Sequence, residues 1–377
     1  MKTILKNGKL YDPVKDEYHI GSVVFDESGI WNVTKDPDET DACLIDASSY
    51  YIMPGLFDVH THGCAGSDFT SAGQKDLERM SSFYLSHGVT SVMPTLASAP
   101  TEEWDRAIDT IRDSGIPTWK GIHFEGRYLN PQKRGAHALH LLAPLDPDEL
   151  SPLCKRVLGA VHITAALELD DENHDFLKKA RELGATVALG HTMATYAQAM
   201  DIFEAGAGAV THLFNAMPPL HHREGGAVAA ALLAPVYCEL IADGLHVSPE
   251  MVRLAYRMKG EQLVLITDSM EGTGCPDGTF SIAGNEVRLV NGEARTPDGA
   301  LAGSTLTLDM AVFNLMKMTG CSLGRAFTCA SYVPAMEVGL SDRIGRILPG
   351  YPADFNLVGF DGYQYRIVKT IQNGKEI

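Results

Sequence analysis

Apolar runs of strand length alternate with helix-period stretches through most of this chain, whereas its two ends hold only short strand-like runs broken by turns. Near the start these runs fall at 3–5, 19–25, 29–33 and 44–45 and are rich in β-branched and aromatic residues. The tail has the same texture, with strands predicted at 353–358 and 365–371 and a turn at Asn373-Gly374. The shared pattern predicts one small β-sandwich domain assembled from residues 1–52 and 339–377. In between, apolar positions three and four apart predict helices over 74–87, 102–114, 173–183 and 195–205. Eight apolar runs complete the middle, at 56–60, 91–95, 121–125, 163–169, 186–191, 209–213, 237–242 and 263–267. Such alternation indicates parallel strand–helix units, and eight strands close a barrel, so residues 53–338 are predicted to form an α/β fold, a (β/α)8 TIM-like barrel.

The 377 residues are 45% hydrophobic, which is enough for a large core plus a smaller one and excludes disorder as the main state. A net charge of -17 argues against nucleic acid or an anionic membrane as partner, while leaving room for a locally basic pocket. No apolar stretch reaches about eighteen residues and the start soon turns polar, so neither a membrane span nor a signal peptide is expected and the predicted setting is cytoplasmic. Seven scattered cysteines without a C-x-x-C pair read as reduced thiols.

Candidate chemistry sits where the predicted strands end. His60 and His62 are two apart, so a period-2 backbone points both the same way, and the Gly63-Cys64-Ala65-Gly66 loop follows them. Glu125, Glu168, His191, His212, His246 and Asp268 recur at or just past later strand ends. A lone strand-ending histidine is more often a satisfied core residue, but a ring of ionisable residues at one barrel mouth is hard to explain as packing. Glu125 ends an apolar strand and needs a cation partner to be buried there; with His191 and His212 it makes a three-ligand metal site with open positions. Asp268, the last acid at that mouth, is the candidate general base, its plainer alternative being a helix cap.

These residues lie in segments that together resemble the amidohydrolase superfamily, and within it the N-acetylglucosamine-6-phosphate deacetylases. The segments are Pro54-Gly55-Leu56-Phe57-Asp58-Val59-His60-Thr61-His62-Gly63, His123-Phe124-Glu125-Gly126 with Gly135-Ala136-His137, Gly190-His191-Thr192, Thr211-His212-Leu213-Phe214-Asn215-Ala216-Met217, Ala242-Asp243-Gly244-Leu245-His246, Thr267-Asp268 and Leu301-Ala302-Gly303-Ser304-Thr305-Leu306. The Asn-Ala-Met stretch followed by His221-His222-Arg223-Glu224 is the family-specific part.

The resemblance implies that Glu125, His191 and His212 hold a divalent metal, Zn2+ before Fe2+ or Mn2+, and that Asp268 handles the proton. His60 and His62 would support a second ion bridged through Glu125, so one or two ions are expected. It further implies sugar-phosphate contacts from Asn215, Ala216, Arg223 and His246, with Ala136, His137 and the backbone of Leu301, Ala302 and Gly303 near the sugar or acetyl group. The expected reaction converts N-acetylglucosamine 6-phosphate to glucosamine 6-phosphate and acetate in amino-sugar catabolism, with N-acetylgalactosamine 6-phosphate as the alternative substrate and a homodimer as the assembly.

Three departures from the family pattern touch the loops around substrate: Arg127 and Gly225 stand where proline is usual, and Ala165-Ala166-Leu167-Glu168 replaces a Pro-Glu pair. Arg127 is expected to reshape the pocket or meet an anion. A hydantoinase-like ring opening is disfavoured because 162–169 contains no lysine to bridge two metals. Asn215-Ala216-Met217 with Arg223 speaks against a purine-type aminohydrolase, and the intact acid and histidine set against a non-catalytic sugar-phosphate-binding protein.

Overall fold

The structure, a computed structural model, describes residues 2–377. Eight parallel strands form the barrel, in chain order Leu56–Thr61, Val89–Leu96, Gly121–Glu125, Ala160–Ala165, Thr186–Leu189, Ala209–Val210, Tyr237–Ile241 and Leu263–Ile266. The first three are buried at every position, because helices cover the outer face and packed side chains fill the inner one. Helices at Gln74–Ser86, Thr101–Asp113, Asp175–Glu182 and Tyr196–Ala205 match the periodic stretches within two residues at each end. Thr101–Asp113 shows why: Trp104, Ala107, Ile108 and Ile111 make one buried stripe. Thr195 starts its helix with a reciprocal capping box to Gln198, which satisfies amide donors that the first turn leaves unpaired.

The barrel closes between its first and last strands beyond the regular ladder. Asp268 N–H donates to the His60 carbonyl (2.9 Å) and His62 N–H to the Ser269 carbonyl (2.8 Å). Below them Asp58, fully buried, accepts the Thr267 hydroxyl at 2.6 Å. Burial pushes the Asp58 pKa up to about 7, against those hydrogen bonds.

Three strands end two or more residues before the apolar runs that predict them: Thr186–Leu189 and Ala209–Val210 stop two and three residues early, and the fourth barrel strand departs furthest. The run at 163–169 is a strand only to Ala165; Ala166 N–H then bonds to the Tyr128 carbonyl and the chain turns into a short 3-10 helix, Leu167–Leu169. Of the later apolar residues of that run Leu167 is buried and Leu169 about half exposed, and periodicity over so short a stretch cannot distinguish such a turn from a strand.

The terminal strands form a single sheet in the order Lys375–Glu376, Tyr365–Gln372, Phe355–Phe360, Tyr51–Pro54, Lys2–Asp12, Glu17–Asp26, Gly29–Thr34, with Ala42–Asp46 parallel to Lys2–Asp12. Strands three places apart would lie roughly 14 Å apart if the sheet were flat. Phe25 and Phe355 nevertheless meet with ring centroids 5.1 Å apart, so the sheet folds over on itself. Leu5, Leu10, Val23, Ile52, Leu357 and Ile371 fill the enclosed core.

A further three-stranded sheet, Gly278–Ile282, Asn285–Val290 and Glu293–Arg295, follows the eighth barrel strand and was not anticipated. Its hairpin turns, Ala283-Gly284 and Asn291-Gly292, have positive φ at both residues, and Asn-Gly between alternating residues is a hairpin signal the chain does carry. Ile282, Val287 and Leu289 pack with Ala97, Ala136 and Ala302, which places this flap beside the barrel mouth. Among the described residues no helix is long and apolar enough to cross a membrane.

The interlocked termini give a stability prediction. Phe355→Ala, at a position with no exposed surface, is expected to cost about 3–5 kcal/mol of folding free energy. Chemical denaturation of the metal-free protein measures this, and a loss under about 1 kcal/mol would mean that the terminal core is not part of the cooperative unit.

Candidate active site

The site is built at the carboxyl ends of the barrel strands, where neighbouring strands bring distant residues together. His60 lies on the first strand with His62 just beyond it, their ring centroids 5.6 Å apart. Glu125 is the last residue of the third strand. His191, His212 and Asp268 each follow their strands by two residues, and each adopts the left-handed region, with φ of 48°, 32° and 49°. That conformation costs non-glycine residues on the order of 1–3 kcal/mol and persists where the surroundings over-determine it.

Glu125 organises the centre by dividing its two oxygens. Oε2 faces His62 Nε2 at 2.8 Å and His60 Nε2 at 3.4 Å, while Oε1 faces His191 Nε2 at 3.2 Å and His212 Nε2 at 3.1 Å. Asp268 Oδ1 joins the first set, 3.4 Å from His62 Nε2 and 3.7 Å from His60 Nε2. Two buried groups of possible metal ligands result, His60–His62–Glu125–Asp268 and Glu125–His191–His212, with Glu125 common to both.

The hydrogen bonding tests whether a cation fits. His191 Nδ1 must donate to the Lys133 carbonyl (2.8 Å), so the neutral ring turns its Nε2 lone pair toward Glu125 and toward His212 Nε2, only 3.0 Å away. His60 Nδ1 likewise donates to Glu239 Oε2 (2.9 Å), leaving a buried Nε2 with no hydrogen-bond partner aimed at the acids. Lone pairs converging on carboxylate oxygens repel unless positive charge lies among them, and a divalent ion supplies it.

Titration behaviour expresses the same demand. Burial lowers the His62 pKa, but hydrogen bonds to Asp268 and Glu125 outweigh it and bring it to about 9. For His60, Glu125 and Glu239 likewise overcome burial and hold the pKa well above its usual value. Burial alone raises Glu125 and Asp268, yet the neighbouring histidines bring both below the ordinary carboxylate range. His137 is held down at about 4 by burial.

A second layer supports the first. Glu239 accepts His60 Nδ1–H and the His212 backbone N–H, fixing ligand candidates from opposite sides of the mouth. Glu337, fully buried beneath it, is pushed well up by burial and by Glu239 and so is the neutral acid. His123, facing inward two residues before Glu125, bonds Thr95 and Thr164. Sequence reading missed Glu239, Glu337 and His123. The first two were visible as acids inside apolar segments, and His123 by its two-residue spacing from Glu125.

Above the centre lies a cavity of about 250 Å³. It is lined by His62, Glu125, Ala136, His137, His191, His212, Asn215, Ala216, His246, Asp268, Leu301, Ala302 and Gly303, so nearly every candidate from the sequence meets there. His60 lies beneath it and Arg223 is exposed outside it. His246 is oriented by Asp243, whose Oδ2 accepts its Nδ1–H at 2.6 Å.

Two expectations are corrected. Arg127 points away from the pocket, bonding Thr101, pairing with Glu149 at 3.5 Å and stacking over Trp104. Glu168 belongs to no ligand group; it braces the loop after His191 through Asn130, Thr192 and the Met193 amide. Gly225 precedes the helix Gly226–Leu233, where a Cβ would meet that of Ala229 at 2.5 Å.

Comparison with known proteins places these features in context. The amidohydrolase family model matches residues 51–377. The N-acetylgalactosamine-6-phosphate deacetylase of Escherichia coli O157:H7 is 36% identical over 308 residues, 79% of this chain and 81% of that protein. The N-acetylglucosamine-6-phosphate deacetylase of Vibrio furnissii is 33% identical over 367 residues, covering 94% of this chain and 90% of the relative. Among solved structures, N-acetylglucosamine-6-phosphate deacetylase from Thermotoga maritima superposes with a TM-score of 0.87 at 34% identity, covering 99% of each chain.

The raised His62 pKa predicts proton release on metal loading. His62, brought to about 9 by Asp268 and Glu125, is charged at pH 7 in the metal-free protein and must lose a proton to ligate. Calorimetric titration with Zn2+ in two buffers of different ionisation enthalpy should show release when its side fills; heats independent of buffer would refute it.

Proposed function

The chain belongs to the amidohydrolase family, and from that membership we propose that it hydrolyses the acetamide of N-acetylglucosamine 6-phosphate to glucosamine 6-phosphate and acetate. The observation carrying this reading is Glu125 set between two histidine pairs with Asp268 beside it, facing a cavity of sugar size. The substrate class follows from relatives that are hexosamine-phosphate deacetylases and match most of the chain. The gluco sugar is the first reading because it is the one named for several of them. The galacto epimer is the second, favoured by the 36%-identical relative.

Glu125, His191 and His212 would hold a divalent ion, zinc ahead of iron or manganese for these nitrogen and carboxylate ligands, and the ion when bound would supply the charge that acidifies a water and polarises the acetamide carbonyl. His60, His62 and Asp268 provide a second position sharing Glu125. Asp268, ionised because neighbouring histidines hold its pKa down against burial, takes the proton of the attacking water. The water oxygen bonds to the carbonyl carbon as the carbonyl electron pair moves to oxygen. His137, neutral in its buried position, donates a hydrogen bond to that oxygen. Collapse restores the carbonyl and breaks the carbon–nitrogen bond while Asp268 returns its proton to nitrogen, so acetic acid and the free amine form, and the acid's proton passes to the more basic amine to give acetate and the ammonium form of the sugar.

His246, Asn215 and the backbone at Ala136, Ala216 and Leu301 to Gly303 hold the sugar from the cavity wall. Arg223 takes the phosphate, and its position outside the cavity of its own chain supports a homodimer in which it reaches the partner's site. Seven free thiols suit the reducing cytoplasm in which we place the protein.

Acetate release from the two epimeric phosphosugars and from unphosphorylated N-acetylglucosamine tests this reading on zinc-loaded protein. Phosphate-dependent release with the gluco sugar preferred is expected; no release from any of the three would refute it. Asp268→Asn should retain metal yet lose roughly 10²–10⁴-fold in kcat. Arg223→Ala should raise KM for the phosphosugar while leaving the unphosphorylated sugar unaffected, and equal effects on both would remove Arg223 from the phosphate site.

A further inference from the structure

Ser98 plays no part in the mechanism above, yet it is buried against His137. Its Oγ lies 2.9 Å from His137 Nδ1, and its own backbone N–H points at the same nitrogen at 3.4 Å. The Arg127 backbone N–H occupies the hydroxyl oxygen from the other side at 2.8 Å. These partners determine the direction of every bond. An amide can only donate, so Ser98 Oγ accepts from Arg127 and Nδ1 faces the Ser98 amide as an acceptor. The hydroxyl proton is then left for Nδ1, which therefore carries the lone pair, and the ring proton sits on Nε2. His137 lines the cavity, and its Nε2 lies 3.7 Å from Glu125 Oε2.

Backbone geometry makes this approach possible. Gly126 has φ of 156°, and a Cβ there would lie 2.3 Å from the Ser98 nitrogen and 2.6 Å from its Cα. Glycine after Glu125 thus lets the chain after the second barrel strand press against the end of the third. The same contact places the Arg127 amide on the Ser98 hydroxyl.

We propose that Ser98 is a positioning residue that holds His137 as its Nε2–H tautomer, so that the imidazole presents a donor, not a lone pair, to the reacting carbonyl oxygen. The role in turnover rests on the deacetylase reading; the tautomer does not. With the proton on Nδ1 instead, Nε2 would turn a lone pair toward the carbonyl oxygen and Glu125, removing the donor and adding repulsion.

The test pairs nuclear magnetic resonance of ¹⁵N-histidine-labelled, zinc-loaded protein with steady-state kinetics on Ser98→Ala and Ser98→Thr. Wild type and Ser98→Thr should show His137 protonated at Nε2, while Ser98→Ala shifts proton occupancy toward Nδ1. In Ser98→Ala kcat should fall roughly 10- to 100-fold with KM little changed, as for loss of an outer hydrogen-bond partner, and Ser98→Thr should recover most of it. A wild-type His137 protonated at Nδ1 overturns the proposal whether or not Ser98→Ala folds. So does a Ser98→Ala protein with wild-type tautomer and kcat, or an equal loss in the alanine and threonine variants. If the deacetylase reading itself fails, wild type is inactive on every sugar tested while the tautomer result still stands.

Discussion

One buried carboxylate sets the terms for the catalytic end of this molecule. Within 3.7 Å of the two oxygens of Glu125 lie nitrogens of five imidazoles, from His60, His62, His137, His191 and His212. An unpaired carboxylate so deep would cost several kcal/mol, and a neutral imidazole that turns its lone pair toward it, as His191 does, does not relieve that cost. The arrangement makes physical sense as a seat for positive charge, with one oxygen committed to each side. Asp268 joins one of those sides, which ties the proposed proton carrier to the same electrostatic centre.

Holding so many polar rings at one point requires rigid support, and the barrel provides it at two levels. Strand ends fix the backbone, and at His191, His212 and Asp268 they do so in a left-handed conformation that these residues would not choose alone. Beneath, Glu239 and the Lys133 carbonyl select which ring nitrogen carries the proton on His60 and His191. Closure of the barrel through the His60 carbonyl and the Asp268 amide means that the last strand positions its acid by bonding directly to a ligand candidate on the first.

Much of this was legible along the chain. Alternating apolar runs and helical stretches marked the barrel, because burial on both faces of a parallel strand leaves a continuous apolar signature. The fourth strand slipped because Leu167 and Leu169 are also apolar but sit in a 3-10 turn, where only the hydrogen bond from Ala166 to Tyr128 ends the ladder. The flap at 278–295 escaped notice although its Asn291-Gly292 turn was on display, since short half-exposed strands bury too little to leave a strong pattern.

The sequence by itself determined the kinds of groups available and their places at strand ends, because period-2 and period-3.6 patterns are local consequences of which face each residue buries. That was enough for His60, His62, Glu125, His191, His212 and Asp268. Only the tertiary structure decided which oxygen of Glu125 serves which histidines, that Arg127 leaves the pocket for Trp104 and Glu149, that Glu168 is a brace, and that Ser98 and Glu239 direct protons on neighbouring rings. Those outcomes depend on approaches of a few ångströms between segments up to two hundred residues apart. No local periodicity encodes such distances; closure of the barrel creates them.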